Sequence, residues 1–283
     1  MASAGQGIMA VVLTHNAPDS LARCLEAIAG QTLPPASLLV VDNASRPPVC
    51  LNVPPAAPVP TEVLRSETNT GPAGGYAEGL SAFLASGYAH AWVLDDDMIP
   101  DASCLERLWA VAERDPGSAF VFPISRQIDG TCGLWPSWCG FIVSRQIVEA
   151  VGVPMAELFW WAEDTEYLQW RIPEAGYHMQ VVYDAVVDHD PIRHGDGVPL
   201  WKYYYETRNM LYVHFRVKHR LGRYPLNMSK LLARAILREK GGRFRRLAVM
   251  VRGISDGARG KLGIRYPVEP MRERLSSGSG TGT

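Results

Sequence analysis

The chain of 283 residues contains no run of 18 or more apolar residues, so no stretch of it reads as a membrane-spanning helix. Cysteine is scarce. Cys24, Cys50, Cys104, Cys132 and Cys139 are odd in number and show no zinc-site or disulfide spacing. They read as reduced thiols, the usage of a cytoplasmic protein. Met1–Met9 has no charged segment followed by an apolar one, so no secretory signal is expected. Basic residues are also rare over most of the length: residues 1–200 hold nine Lys and Arg against 24 Asp and Glu, a net −15. The balance reverses in residues 201–265, where 17 Lys and Arg face three acidic residues, a net +14. The overall charge of −1 therefore hides an acidic body and a basic appendage suited to anions. No nucleic-acid-binding motif accompanies the basic part, which leaves an anionic membrane surface as its expected partner.

What is present is organised around Trp92–Pro100, W-V-L-D-D-D-M-I-P. A short apolar run that ends in Asp95, Asp96 and Asp97 reads as a buried strand opening into a loop, the place where ligands sit in open α/β sheets. Three adjacent carboxylates repel one another, and oxygen ligands of this kind suit Mg²⁺ or Mn²⁺. Upstream, Ile8–Leu13 and Ser37–Val41 read as strands around a helix that begins near Pro18, with Asp19 or Ser20 as its cap. This is the βαβ unit of a parallel sheet. The second strand ends at Asp42-Asn43, either a loop cap or a contact to a base or ribose. Asn69–Gly79 is glycine-rich before a helix, which is either a tight turn or a close approach of backbone to phosphate.

Farther on, Asp164 stands where a helix starts beside Trp160 and Trp161. It is a candidate general base or a plain N-cap. The tryptophans suit a sugar ring or a core, and His189, between two aspartates, suits a metal or the surface. From Leu200 the pattern becomes helical and Arg-rich, with amphipathic segments of the kind that lie on a membrane or pack on a domain. The expected organisation is a catalytic domain over 1–200, a basic helical region over 201–275 and a disordered tail over 276–283.

In order, V-V-L-T-H-N, V-V-D-N-A-S, N-T-G-P-A-G-G, L-D-D-D-M-I-P and W-W-A-E-D-T-E-Y, followed by a histidine, resemble glycosyltransferase family 2 over residues 8–210. The N-x-G-x-A-G-G stretch and Y-Y-E-T-R-N at Tyr204–Asn209 are most similar to its bacterial rhamnosyl- and galactofuranosyltransferases. The resemblance implies a GT-A fold, Rossmann-like with a mostly parallel central sheet flanked by helices. It implies inverting, metal-dependent transfer of a sugar from UDP-galactofuranose or dTDP-rhamnose to a glycan acceptor in cell-wall assembly, and the basic helices fit an acceptor such as a polyprenyl-diphosphate-linked glycan on the inner face of the membrane. It also implies roles. Thr14, Asp42 and Asn43 would hold base and ribose, Asn69 and Gly74 would line the donor pocket, and Asp95 and Asp96 would contact the nucleotide sugar. Asp97 and His189 would hold Mg²⁺ or Mn²⁺, Asp164 would be the base, and Trp160, Trp161 and Glu163 would meet the acceptor. The Q-x-x-R-W element of processive members is absent, so one or a few transfers per acceptor are expected. The alternatives are a nucleotidyltransferase, whose glycine-rich basic loop is missing from Val11–Asn16, or a non-catalytic nucleotide-sugar-binding protein.

Overall fold

The computed structural model describes residues 7–50, 59–190, 198–219, 221–238 and 242–266. The expected tail, 276–283, lies outside the described residues, as do 267–275 of the basic region. The chain forms two compact units, Met1–Ile192 and Arg193–Thr283.

Among the described residues the first unit is built on a nine-stranded sheet. All seven residues of β1 (Ile8–Thr14) and all six of β2 (Ser37–Asp42) are buried, as befits central parallel strands covered on both faces. Successive side chains alternate between the faces. Ile8, Ala10, Val12, Leu38 and Val40 join a core with α1 (Pro18–Ala29) and α3 (Cys104–Ala112), while Met9, Val11, Leu13, Leu39 and Val41 join one with α2 (Gly71–Ala85). β3 (Thr61–Arg65) lies parallel at the edge, and β4 (His90–Asp95) lies parallel to β1 on its other side. Beyond β4 the sheet is mixed. β8 (Cys139–Ser144) runs antiparallel between β4 and β6 (Phe120–Gln127). β9 (Gln180–His189) is parallel to β6, and β5 (Met98–Pro100) closes the far edge antiparallel to β9. The two-residue β7 (Cys132–Gly133) pairs with β6, α4 (Arg145–Val151) follows β8 with Ser144 as its cap, and the short α5 (Ile172–Glu174) precedes β9.

Two local expectations are corrected. α1 is not capped by Asp19 or Ser20: its N-cap is Ala17, Pro18 occupies the first helical turn, and Asp19 faces the helix N-terminus from within that turn. The glycine-rich stretch is not a loop ahead of α2 but its first turns. A Cβ at Gly79 would lie 2.7 Å from Val11 Cγ1, and one at Gly75 would collide with Leu13. These glycines let the helix lie close against the sheet.

The second unit is helical. α6 (Leu200–Tyr212) continues as a π-helical turn, Val213–Val217, and is followed by the short helix α7 (Tyr224–Ala233), a second π-helical turn at Arg234–Arg238 and α8 (Arg243–Ala258). α6 is not amphipathic, since every residue from Tyr203 to Met210 is buried. The cation of Arg208 is held there by Gly263 O at 2.6 Å, by Asn209 Oδ1 at 2.8 Å and by the Tyr205 ring 4.7 Å away. α8 approaches α6 at Gly253 and Gly257, where a Cβ would meet Tyr204 O at 2.7 Å and Arg208 O at 2.5 Å. α7 and α8 do expose apolar side chains, among them Leu226, Leu232, Phe244 and Val251, interspersed with exposed Lys230, Arg243 and Arg245. Among the described residues no helix is long and apolar enough to cross a membrane.

Candidate active site

Strand register assembles the site. Parallel pairing sets Thr14 beside Asp42 and Leu13 beside Asp95, so the C-terminal ends of β1, β2 and β4 form one edge. On that edge Thr14 Oγ1 donates to Asp96 Oδ2 at 2.5 Å. Asp42 is fully buried, and its oxygens are engaged by the chain itself. Oδ1 accepts from the Ser45 amide at 2.8 Å, and Oδ2 accepts from the Val49 amide at 3.0 Å and from Arg65. Burial alone would raise its pKa, but these hydrogen bonds outweigh burial and the net shift is downward.

Asn43 is buried too. Its amide donates to Gly71 O at 3.0 Å and accepts from the Thr70 N–H at 2.8 Å. Asn69 Oδ1 accepts from the Gly71 N–H at 2.8 Å, and a Cβ at Gly74 would fall on the Thr70 side chain. Asp42, Asn43, Asn69 and Gly74 thus brace the loops of this edge from within. The amides at the start of α2 are likewise engaged rather than free for phosphate, with Ala73 N–H donating to Phe159 O at 3.2 Å.

Asp95 is the terminal residue of β4 and accepts a hydrogen bond from Tyr76 on α2. Burial, then the charges of Asp97 and Asp96 and of Glu163, push its pKa well above the usual carboxylate range despite the tyrosine. The Tyr76 ring stacks on Trp138 with centroids 3.8 Å apart, and Trp138 Nε1 donates to Glu163 Oε1 at 3.4 Å. One chain of contacts therefore links the carboxylates after β4 to the Glu163-Asp164 pair.

Glu163 is buried, and its Oε2 has no partner among the described residues. Burial and the neighbouring Asp164 push its pKa up to about 8. Burial also raises Asp164, against hydrogen bonds from Thr165. Asp164 already has helical backbone angles and accepts from the next amide, Thr165 N–H, at 2.6 Å, at the head of the π-helical segment Thr165–Arg171. The segment before it is strained: Phe159, Trp161 and Ala162 all have positive φ. It presents Trp160 and an exposed Trp161, rings tilted and 5.0 Å apart.

Asp97 and His189 meet because β5 pairs with β9, Met98 lying opposite His189. His189 Nε2 is 3.3 Å from Asp97 Oδ2, and Asp97 Oδ1 is buried without a hydrogen-bond partner among the described residues. A carboxylate with one orphaned oxygen and the other beside an imidazole nitrogen fits a hard divalent cation such as Mg²⁺ or Mn²⁺. Among the described residues no third His, Cys, Asp or Glu joins the pair, so substrate or water would supply the other ligands. A cleft of about 710 Å³ opens beside His189, lined in part by Arg23, Arg126, Gln127, Asp188 and Asp190. Arg126 is held bidentately by Asp188 at 2.5 and 2.8 Å, and Arg23 by Asp190.

The structure also brings in residues that no motif marks. Gln127 lies 2.9 Å from His189 Nδ1 although 62 positions separate them. Only the β6–β9 register, which sets Gln127 opposite His189, reveals it. Tyr76 and Trp138 read in sequence as ordinary aromatics.

Comparison with known proteins places the family and the fold. Residues 9–195 match Glycosyl transferase family 2. The galactofuranosyltransferase GlfT1 of Mycobacterium tuberculosis is 30% identical over 215 residues, 65% of this chain and 70% of its own length. GlfT1 of Mycolicibacterium smegmatis is 31% identical over 201 residues, 60% of this chain and 66% of its own. Among solved structures, the Pyrobaculum calidifontis mannosyltransferase PcManGT in complex with GDP-Man and Mn²⁺ superimposes with a TM-score of 0.54 at 14% identity, over 89% of this chain and 75% of that one. S. aureus TarS 1–349 in complex with UDP-GlcNAc gives 0.55 at 14% identity, over 88% and 80%. This chain spans 44% of the longer TarS chain. The sheet and the helices on its two faces are those of the GT-A fold, and the chain belongs to glycosyl transferase family 2.

Proposed function

We propose that the chain transfers galactofuranose from a UDP-linked donor to a hydroxyl of a glycan carried on a membrane lipid, inverting the anomeric carbon in a metal-dependent step. The observation that carries this reading is the linked set of carboxylates. Asp95, Asp96 and Asp97 at the end of β4 lie beside His189 on one side and connect through Tyr76 and Trp138 to Glu163-Asp164 on the other. The relatives named galactofuranosyltransferases favour the sugar.

In the proposed mechanism Thr14 and the loops braced by Asp42, Asn43, Asn69 and Gly74 receive the nucleoside, and Asp95 and Asp96 orient the donor. Asp97 and His189 would hold Mg²⁺ or Mn²⁺, which when bound neutralises charge on the leaving nucleoside diphosphate. Asp164 takes the proton of the acceptor hydroxyl, whose oxygen attacks the anomeric carbon from the face opposite the diphosphate, and the bond from that carbon to the phosphate oxygen breaks. A carboxyl raised by burial is a stronger base once ionised. Trp160 and Trp161 stack on the acceptor sugar, with Glu163 beside it. The exposed mixture of apolar and basic side chains on α7 and α8 suits an anionic membrane surface, where such an acceptor would reside.

Calorimetric titration with UDP and with dTDP, each with and without Mn²⁺, tests the donor site. Binding of UDP that needs Mn²⁺ and is lost in Asp97→Ala is the expected result. Equal UDP affinity with EDTA and in Asp97→Ala would overturn the metal-bridged reading. Transfer from UDP-galactofuranose to a synthetic lipid-linked glycan, with the new anomeric centre read by NMR, tests the reaction.

A further inference from the structure

We infer that Gln127 is a positioning residue for the imidazole of His189, accepting a hydrogen bond from its Nδ1–H so that Nε2 is left bare and turned toward Asp97. The inference deepens the proposed metal site and rests on it. β9 runs between β6 and β5, so His189 has a neighbour from each strand. The parallel register with β6 sets Gln127 opposite it, and the antiparallel register with β5 sets Met98 opposite it, with Asp97 one residue before. The imidazole is thereby clamped from two sides, Nδ1 at 2.9 Å from Gln127 Oε1 and Nε2 at 3.3 Å from Asp97 Oδ2.

The other end of the Gln127 amide is fixed as well, Nε2 donating to Ser125 Oγ at 3.2 Å on the same strand. With the amide nitrogen committed there, its oxygen faces the histidine, and an amide oxygen can only accept. Nδ1 must then carry the hydrogen, and in the neutral ring Nε2 carries the lone pair. That lone pair faces a carboxylate oxygen 3.3 Å away, an arrangement that a metal ion between the two would stabilise. Ligand histidines are commonly oriented in this way by a partner on the far nitrogen, whose loss costs about 10–100-fold in metal affinity.

The test uses the full chain and Mn²⁺ alone, with bound metal read from the loss of the free-ion paramagnetic resonance signal, and the His189 tautomer read from ¹⁵N shifts without metal. Asp97→Ala is expected to abolish binding. Gln127→Leu is expected to weaken it by about 10–100-fold, and Gln127→Glu, whose carboxylate can only accept, should bind at least as well as wild type. The metal-free ring should carry its hydrogen on Nδ1, and should lose that preference in Gln127→Leu. If Asp97→Ala abolishes binding while Gln127→Leu binds as wild type, Gln127 has no such role and the metal site stands. A ring with its hydrogen on Nε2, or a Gln127→Glu variant as weak as Gln127→Leu, overturns the inference in the same way. If Asp97→Ala binds Mn²⁺ as wild type does, the metal site itself is overturned and this inference with it. Circular dichroism of each variant separates these results from misfolding.

Discussion

Gly71 is the position where a single methyl group should matter most. Its φ of 69° is left-handed, and placing an L-residue there costs about 1–2 kcal/mol. A Cβ would also overlap the Phe159 carbonyl oxygen and lie 2.7 Å from the carbonyl carbon and 2.9 Å from Cδ2 of the ring. Ordinary carbon contacts need about 3.5–4.0 Å, so the two backbones must part by roughly 1 Å. Overpacking of this kind adds about 1–3 kcal/mol. Gly71→Ala should therefore lower the unfolding free energy by about 2–5 kcal/mol, the sum of the two. The displaced segment already has positive φ at Phe159, Trp161 and Ala162 and has little freedom left to absorb the shift. It leads directly to Glu163 and Asp164. A misplacement of about 1 Å at a reacting group costs about 100-fold in rate, so kcat should fall by that order. Urea denaturation followed by circular dichroism gives the stability, and transfer from UDP-galactofuranose gives the rate. Gly87→Ala, where a Cβ meets nothing within 4 Å, is the control. Wild-type stability and rate in Gly71→Ala would refute the coupling of α2 to the Trp160–Asp164 segment.

The remaining substitutions separate chemistry from packing. Asp164→Asn should cut kcat by about 10²–10⁴-fold with UDP affinity in calorimetry unchanged. Because burial raises Asp164, the acid limb of the kcat–pH profile should lie above the ordinary aspartate range. Glu163 binds its proton up to about pH 8 when folded but only to the usual carboxylate range when unfolded. Its contribution is thus full below the unfolded pKa and is lost as pH rises toward 8. Glu163→Gln should flatten that decline and add about 1–3 kcal/mol at pH 8 in urea titrations; an unchanged slope would show that the buried carboxyl is not what titrates. Gly257→Ala, whose Cβ would sit 2.5 Å from Arg208 O, should destabilise the second unit by about 1–3 kcal/mol, read by thermal unfolding of the full chain.

How far the sequence could be read depended on whether local pattern or register decided the matter. β1, β2 and β4 are continuous apolar runs ended by polar residues, and each lies where that pattern predicts. β5 is three residues long and ends in Pro100, so only its pairing with β9 makes it a strand. β9 is one ten-residue strand although exposed Tyr183 and Asp184 interrupt its apolar pattern, at a shift in the β6 register. The glycines of α2 carry the same local signal whether they face phosphate or, as Gly75 and Gly79 do, a sheet. Asp97 and His189 could be named from the resemblance, but their approach depends on a β5–β9 pairing that no spacing in the chain reveals. The buried Y-Y-Y-E-T-R-N run of α6 misleads for a related reason. Its charges find partners at Gly263 and Arg234, far along the chain, so polarity there does not mean exposure.

The opposite charges of the two units make one last prediction separable from the others. A nucleoside diphosphate is an anion, and in the proposed mechanism it would meet Asp95, Asp96 and Asp97 of the first unit. Unit charges about 4 Å apart interact by about 4 kcal/mol at an effective dielectric constant of 20, so donor binding is opposed until a cation intervenes. Metal and nucleotide must then raise each other's affinity by the same factor. The second unit has the reverse balance on exposed Lys230, Arg243 and Arg245, where attraction to an anionic surface is screened over a Debye length of about 10 Å at 0.1 M salt. A partly buried, metal-bridged contact is screened far less. Raising NaCl should therefore release the protein from phosphatidylglycerol liposomes in sedimentation while leaving Mn²⁺-dependent UDP binding largely in place. Should both fall together, the surface attraction and the donor site would not be independent electrostatic systems. Should liposome binding persist at high salt, the exposed apolar residues Leu226, Leu232, Phe244 and Val251, rather than the arginines, would carry it.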